Sequence, residues 1–467
     1  MLYSLKELIV VLFFGYWVFR LAKPICLLFC SDSDLSIRRN AWFLLTMDGF
    51  LSPNFWIFAI IAIPILIIAG RKDTNPSAAY LILLHVVPPL ALRIPMIGMS
   101  YLFDIDFYFI LSICLLVPAV LRIRAAKPVS VIPKSLLLMD YVLLAYGLLT
   151  AILFVHYQAA SGMIYEAQFT DSLRRLFVFF LETFVPYYAI SRSGASKNSI
   201  IEMLAMYALG CALMAAVAMF EAARHWLVFA EFNERWGLPL SMTNYLSRGD
   251  ALRAMASSGH PLALGFMLAV AFGVCLYLGT LVKSAFMRIS VSLFWWLGLA
   301  VAYSRGPWLG ANSMYFTFAA LRPRGMTKLF RAASVAILVA VGLMLSPLRE
   351  RIVSVIPFLG GTVDAYNVTY RQRLLARCWE IILILSFILI ALFKAWSASR
   401  ASRIVDADLS LLGIGVVTCI LGTMLMLADG NLGTGPGRIF YTLAAIATAY
   451  GYVARPHEVV ALRRAAR

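Results

Sequence analysis

The sequence predicts an all-α protein, a single polytopic bundle of about 14 membrane-crossing helices at ~20 mostly apolar residues per crossing. Three observations carry this expectation. Hydrophobic residues make up 62% of the 467 positions and charged residues only 13%, with a mean hydropathy of +0.86, a balance that excludes a soluble domain. Apolar runs recur from one end of the chain to the other. The net charge of +17 is spread over the connections between those runs rather than gathered in one basic arm, so it reads as a membrane-orientation signal and not as a nucleic-acid surface.

Taken in order, the expected spans lie near 7–30, 54–69, 77–92, 105–121, 135–156, 174–190, 200–221, 261–281, 289–303, 306–321, 332–347, 380–393, 408–427 and 438–453. The first follows Lys6 and Glu7 and lacks a small-residue cleavage site, which makes it a retained helix rather than a signal peptide. The polar stretch 31–53 reads as a loop. Glu182 falls inside the 174–190 run, where an acid must face other helices and find a partner. Arg93 and Arg438 stand at helix ends. The whole divides into N-terminal transmembrane helices (1–199), a transmembrane region with outer loops 222–258 and 348–379 (200–455), and a basic tail (456–467).

Of the seven cysteines, Cys26, Cys114, Cys211, Cys275 and Cys419 fall in apolar spans, while Cys30 and Cys378 sit at boundaries. Their spacing fits neither a metal site nor a disulfide framework, and they read as small buried hydrophobes. No metal or other cofactor is expected.

Alternating the spans separates two sets of loops. One is short and basic, with Arg71-Lys72, the 122–134 segment, Arg192, Lys197, Lys283, Arg288, Arg322, Lys394, Arg400, Arg403 and the tail. The excess of Lys and Arg places it in the cytoplasm, and counting spans places both termini there, in a cell inner membrane. The other set contains no lysine; its cations are arginines, among them Arg38, Arg39, Arg93, Arg174, Arg224, Arg235, Arg248, Arg253, Arg305, Arg371, Arg373, Arg377 and Arg438.

The densest signal is Arg253 to Leu309. Arg253 precedes Gly259-His260-Pro261 and the helix start Ala263-Leu264-Gly265, and Ser304-Arg305-Gly306-Pro307-Trp308-Leu309 opens a later span. An even number of crossings separates Arg253 from Arg305, so both reach the same face of the bilayer. Arginine at a membrane boundary calls for an anionic partner, and its forked donors suit phosphate oxygens better than a lysine ammonium does. Pro261 suits a first helical turn, and the backbone N–H groups around Arg305 add anion-binding capacity.

In the order and spacing of these elements the chain resembles the O-antigen ligase and O-antigen polymerase superfamily, loosely over 200–455 and sharply over 253–309. The resemblance implies that Arg253 and Arg305 grip the diphosphate of a polyprenyl-diphosphate-linked glycan, which is transferred to the hydroxyl of a sugar acceptor without a metal. Arginines stabilise the departing diphosphate, and a base takes the acceptor's proton. The Arg371, Arg373, Arg377 and Trp379 stretch matches the opening of the family's outer loop and implies donor-binding roles for those arginines. The second half of that loop, with its histidine, is missing, since Glu380 runs directly into Ile381-Ile382-Leu383. His260 then serves the substrate side as a turn-forming and capping residue, while His260, Asp364, Glu380 or no protein base at all stay open as the proton acceptor.

The expected function is an inner-membrane glycosyltransferase in exopolysaccharide, capsule or O-antigen assembly, with the polymerase branch favoured over the ligase branch by the short loop. Its partners are the lipid-linked glycan, the acceptor, membrane lipids, a flippase and a chain-length regulator, with no nucleic acid. Two rivals stand beside it. A lipid-linked oligosaccharide flippase predicts two related halves and a charged midplane cavity; a non-catalytic scaffold of the assembly complex is compatible with the missing histidine.

Overall fold

The computed structural model describes residues 2–96, 101–126, 134–160, 169–194, 196–236, 246–248, 251–322, 378–429 and 434–465. The expected span 332–347, all but the end of loop 348–379, and Arg371, Arg373 and Arg377 lie outside the described residues. What is described is an all-α membrane protein. Six helices are long and apolar enough to cross a membrane and three shorter apolar helices accompany them among the described residues, against the expected 14 or so.

The chain opens with α1 (Leu2–Cys26), α2 (Asp32–Leu51) and α3 (Phe55–Lys72), joined by connections too short to do anything but reverse direction. Residues 31–53, read as a loop, are therefore a helix. Ser31 caps it by accepting the Asp34 N–H at 3.0 Å, as a short hydroxyl side chain does at a helix start. The buried cation that disguised α2 finds acidic partners inside the bundle, one of them held by both Nε and Nη2. Arg38, wholly buried, donates from Nε and Nη2 to Asp73 at 2.7 and 2.8 Å and from Nη2 to Glu202 at 2.7 Å. Asn75 completes the network by donating to Glu202 at 2.9 Å.

The expected span 77–92 is also shorter. Helix α4 (Pro76–Leu83) stops early, because Pro88-Pro89 cannot continue a helix, and the chain passes into an antiparallel pair, β1 (Leu92–Arg93) with β2 (Asp104–Ile105). Two spans contain π-helical turns. Ser112–Leu116 joins α5 (Phe107–Leu111) to α6 (Val117–Ala126), and Phe180–Phe184 joins α8 (Phe169–Phe179) to α9 (Val185–Ser193). Helix α7 (Lys134–Ala160) lies between α6 and α8 in the chain.

The centre of the bundle is α10 (Lys197–Arg224), packed against α1, α4, α12 (Pro261–Leu281) and α13 (Ala285–Val301). It buries 83% of its most apolar window, against 22% for α1, so α10 is an interior helix and α1 turns most of its surface outward to lipid. Between α10 and α12 lie the short α11 (Glu231–Arg235) and an antiparallel pair, β3 (Ser247–Arg248) with β4 (Ala251–Leu252). Helix α14 (Arg305–Leu321) follows α13, and α15 (Cys378–Ser402), α16 (Ala407–Asp429) and α17 (Thr434–Ala465) close the described chain. Helices α14 and α16 touch backbone to backbone. A Cβ on Gly422 would lie 3.0 Å from the Gly310 carbonyl, and one on Gly310 would lie 3.2 Å from that of Gly422, the close approach that small residues permit between membrane helices.

The bundle has two chemically distinct ends. Where α10 begins, Lys197 reaches Asp406 at 3.4 Å, Arg192 pairs with Asp140, and Arg122 donates to the Gly70 carbonyl at 3.0 Å. Burial opposes ionisation of Asp406, but the Leu409 N–H and the Lys197 ammonium outweigh it and hold the carboxyl below its ordinary range. Where α10 finishes, Glu7 lies within electrostatic range of Glu221, Glu231 and Arg235, and Trp236 donates to the Ser52 carbonyl at 3.3 Å. Late α17 belongs to the first end, with Ala449 against Gly194 and Gly451 beside Lys394. The start of α1 and the later part of α17 thus lie at opposite ends of the bundle, whereas the span count put both termini together; helix α2, absent from that count, is the added element.

Candidate functional site

The two arginine-bearing segments come together at the end where α10 finishes. Helix α10 closes on His225, whose backbone is left-handed with φ 51°. One turn earlier Glu221 is wholly buried. Its Oε1 accepts the Val228 N–H at 3.0 Å, and its Oε2 accepts the N–H groups of Met255 and Ala256 at 2.9 and 2.8 Å. This carboxylate ties both ends of the loop to the helix that precedes it. Its three hydrogen-bond partners are backbone groups, none of them an arginine side chain.

The Arg253 strand is held from its other side as well. Arg253 donates its N–H to the Leu246 carbonyl at 2.9 Å, and Ala254 donates to the Val301 carbonyl at the end of α13 at 3.1 Å. Ser257 donates to the His85 carbonyl at 2.5 Å, linking the loop to the segment after α4. Ser258 donates to the Met255 carbonyl at 2.6 Å. Gly259 then turns the chain with φ 73°, a conformation glycine takes without steric cost. His260 caps α12, its Nδ1 accepting the Leu262 N–H at 3.1 Å, and Pro261 occupies the first helical position. The capping role expected of His260 is the one observed. Burial, aided by the nearby Arg253 charge, lowers the His260 pKa below its ordinary 6.5, so the imidazole is neutral at pH 7 and keeps the lone pair that caps the helix.

Arg305 arrives on the adjoining helix. Gly265, in the first turn of α12, lies against Pro307 and Ser304, and an added Cβ there would meet the proline ring at 2.8 Å. Trp308 donates from its indole to the Leu299 carbonyl at 2.7 Å, fixing the first turn of α14 against the last turn of α13. Tyr303 makes the reversal between those helices with φ 44°, and Ala256 in the Arg253 loop also has φ 44°. A left-handed residue other than glycine costs about 1–2 kcal/mol. Both segments therefore hold their shape against a local penalty, through the bonds just described. Such strain gathers where a fixed geometry is needed.

Arg305 is half-buried, its Nε is out of solvent, and its guanidinium makes no hydrogen bond or ion pair with a described residue. It sits at the first position of α14, whose opening N–H groups have no partner within the helix. Arg253, His260 and Arg305 thus occupy one face, as their spacing implied. The part of the site assigned to Arg371, Arg373 and Arg377 lies outside the described residues, and so does Asp364. Sequence reasoning did not find Glu221, although an acid closing the apolar run 200–221 was a signal available for it. Among the described residues no group of His, Cys, Asp and Glu side chains has the arrangement of a metal site.

Compared with known proteins, the chain matches no family model, no curated protein and no solved structure.

Proposed function

We propose that the chain is a membrane transferase acting on glycans carried by a polyprenyl diphosphate, in cell-surface polysaccharide assembly. The observation that carries this reading is Arg305, a half-buried guanidinium without a described partner at the N-terminus of α14, on the same face as Arg253 and His260. A cation kept in that setting favours an anion that arrives from outside the protein. The membrane setting favours an anion on a lipid, and a diphosphate offers enough oxygens to engage two guanidinium groups. Stabilising the diphosphate as it departs is the principal demand of glycosyl transfer from such a donor, and guanidinium groups are suited to it. The acceptor hydroxyl approaches from the aqueous side, past the outer loop.

The resemblance around Arg253 to Leu309 supports the polysaccharide branch, and the abbreviated outer loop favours polymerase over ligase. Under this reading the end where α10 finishes faces away from the cytoplasm and the basic end faces it, in an inner membrane.

Binding of undecaprenyl diphosphate to the purified full chain in lipid nanodiscs tests the proposal. Arg305→Ala should weaken binding about tenfold or more, and Arg305→Lys should recover only part of it, because an ammonium lacks the fork. Unchanged binding in both variants would place the diphosphate elsewhere.

A further inference from the structure

A second buried polar cluster centres on Arg438, which lies within electrostatic range of His85, the residue whose carbonyl accepts from Ser257 of the Arg253 loop. Asp106 caps α5, its Oδ1 accepting the Phe109 N–H at 2.9 Å, while its Oδ2 accepts from Arg438 Nη2 at 2.9 Å. Glu182, on the π-helical turn between α8 and α9, accepts from that same Nη2 through Oε2. Arg438, on α17, lies over the Tyr108 ring with its carbon 3.7 Å from the centroid. Asp106 and Arg438 are 5% and 7% exposed. Among the described residues, the other titratable groups facing the cluster are Tyr80 on α4 and His85 just beyond it. Arg438 Nη1 has no hydrogen-bond partner, and neither ring nitrogen of the buried His85 has one.

Two carboxylates and one guanidinium leave one negative charge in an apolar interior if all three are ionised, and an uncompensated buried charge is strongly disfavoured. A guanidinium has donors enough to hold two carboxylates apart, one on each edge. Here both acids crowd one nitrogen while the other stands idle. Carboxylates drawn together in this way do not both ionise; they retain a proton between them.

We propose that Asp106 and Glu182 form a proton-binding site inside the bundle, in which one exchangeable proton is shared between the two carboxyl groups and Arg438 balances the charge that remains. The proton comes from water and returns to it. Each member stands on a different element, and a π-helical turn interrupts the helix at Glu182 and again just beyond Asp106, a feature frequent at functional positions. Loss of the proton therefore alters the charge that ties the segment after α4, the start of α5, the α8–α9 turn and α17 together. This site stands independently of the transferase reading.

The test is infrared spectroscopy of the full chain in nanodiscs at neutral pH, in H2O and D2O, following the C=O band of protonated carboxyls. Glu182→Gln and Asp106→Asn should each lose one protonated carboxyl relative to wild type, because the acid left behind is fully balanced by Arg438. Arg438→Gln should gain one. Equal band intensity in wild type and in both single variants would overturn the site. The wild-type chain gives a second reading that needs no variant: its band should fall as the pH is raised, and a wild-type spectrum without any protonated-carboxyl band at neutral pH would refute the proposal outright.

Discussion

At the scale of single residues, a few side chains define the candidate site by holding backbone rather than by touching solvent. Glu221 takes three N–H groups from two parts of one loop. Its replacement by alanine leaves those donors buried and unpaired, a loss of roughly 2–4 kcal/mol. Glu221→Ala should lower the thermal midpoint of the purified protein and weaken diphosphate binding together, whereas Arg305→Ala should affect binding alone. If Glu221→Ala left both quantities unchanged, the loop would be held by something other than this carboxylate. His260 offers a pH-dependent test. Its pKa is lowered on folding, so the unfolded chain takes up the proton more readily. The cap's contribution is intact above about pH 6.5 and is lost as the pH falls through 6.5 toward the folded-state value. His260→Asn supplies a capping oxygen that does not titrate. It should keep binding at pH 7 and flatten the fall in thermal midpoint between pH 7 and 5; a variant inactive at pH 7 yet normally folded would make His260 the catalytic base instead.

At the scale of elements, the most apolar helices were legible in the sequence and the compensated ones were not. Helices α10, α12 and α16 coincide with the expected spans 200–221, 261–281 and 408–427 because no charged residue falls in them except near their ends. Helix α2 escaped notice because hydropathy counts Arg38 as a cost, whereas in the fold Asp73 and Glu202, one at the end of α3 and one on α10, cancel that cost. A partner 35 or more positions away has no signature in a local window. Glu182 was recognised as needing a partner, but Arg438 was read as a helix-end residue and the pair was not joined. The face shared by Arg253, His260 and Arg305 was legible because it depends on the parity of crossings within 253–309, and that stretch contains no compensated helix. The Arg38 network gives a direct prediction. Arg38→Ala leaves two acids without their buried cation and should cost about 3–5 kcal/mol, whereas Arg38→Met with Asp73→Asn and Glu202→Gln should recover much of it. Thermal unfolding in detergent reads the difference, and equal stability of the single and triple variants would show that the network carries no net charge coupling. Packing of α14 on α16 supplies a second element-scale expectation. Gly310→Leu should separate the helices and destabilise the fold by at least about 1–3 kcal/mol, while Gly279→Ala, where an added Cβ meets nothing within 4 Å, should not destabilise it.

At the scale of the whole molecule, the two ends of the bundle differ in what they carry, and that difference sets an orientation. The end where α10 begins gathers Arg122, Arg192, Lys197, Lys394 and the residues around them, drawn from connections distant in sequence. The other end carries the left-handed turns at His225, Ala256 and Tyr303, both short antiparallel pairs, and Arg305, which has no partner among the described residues. An excess of Lys and Arg in short connections marks the cytoplasmic side, and the proposed function takes the arginine-bearing loops to face outward on that ground. Helix α2 makes the consequence specific. Three helices, α1 to α3, rather than two, stand between the N-terminus and Arg71, so under the proposed orientation, with Arg71 inside, a membrane-crossing α2 puts the N-terminus outside and the end of α17 inside. Cysteine-accessibility labelling of intact cells decides between this arrangement and one with both termini in the cytoplasm. A cysteine added before Leu2 and another at position 240 should react with a membrane-impermeant maleimide, and one at position 403 or after 465 should react only after permeabilisation. Protection of the N-terminal cysteine together with exposure of the one at 240 would mean that α2 lies along the membrane instead of crossing it, and the antiparallel packing of Arg38 against Asp73 would then need another explanation.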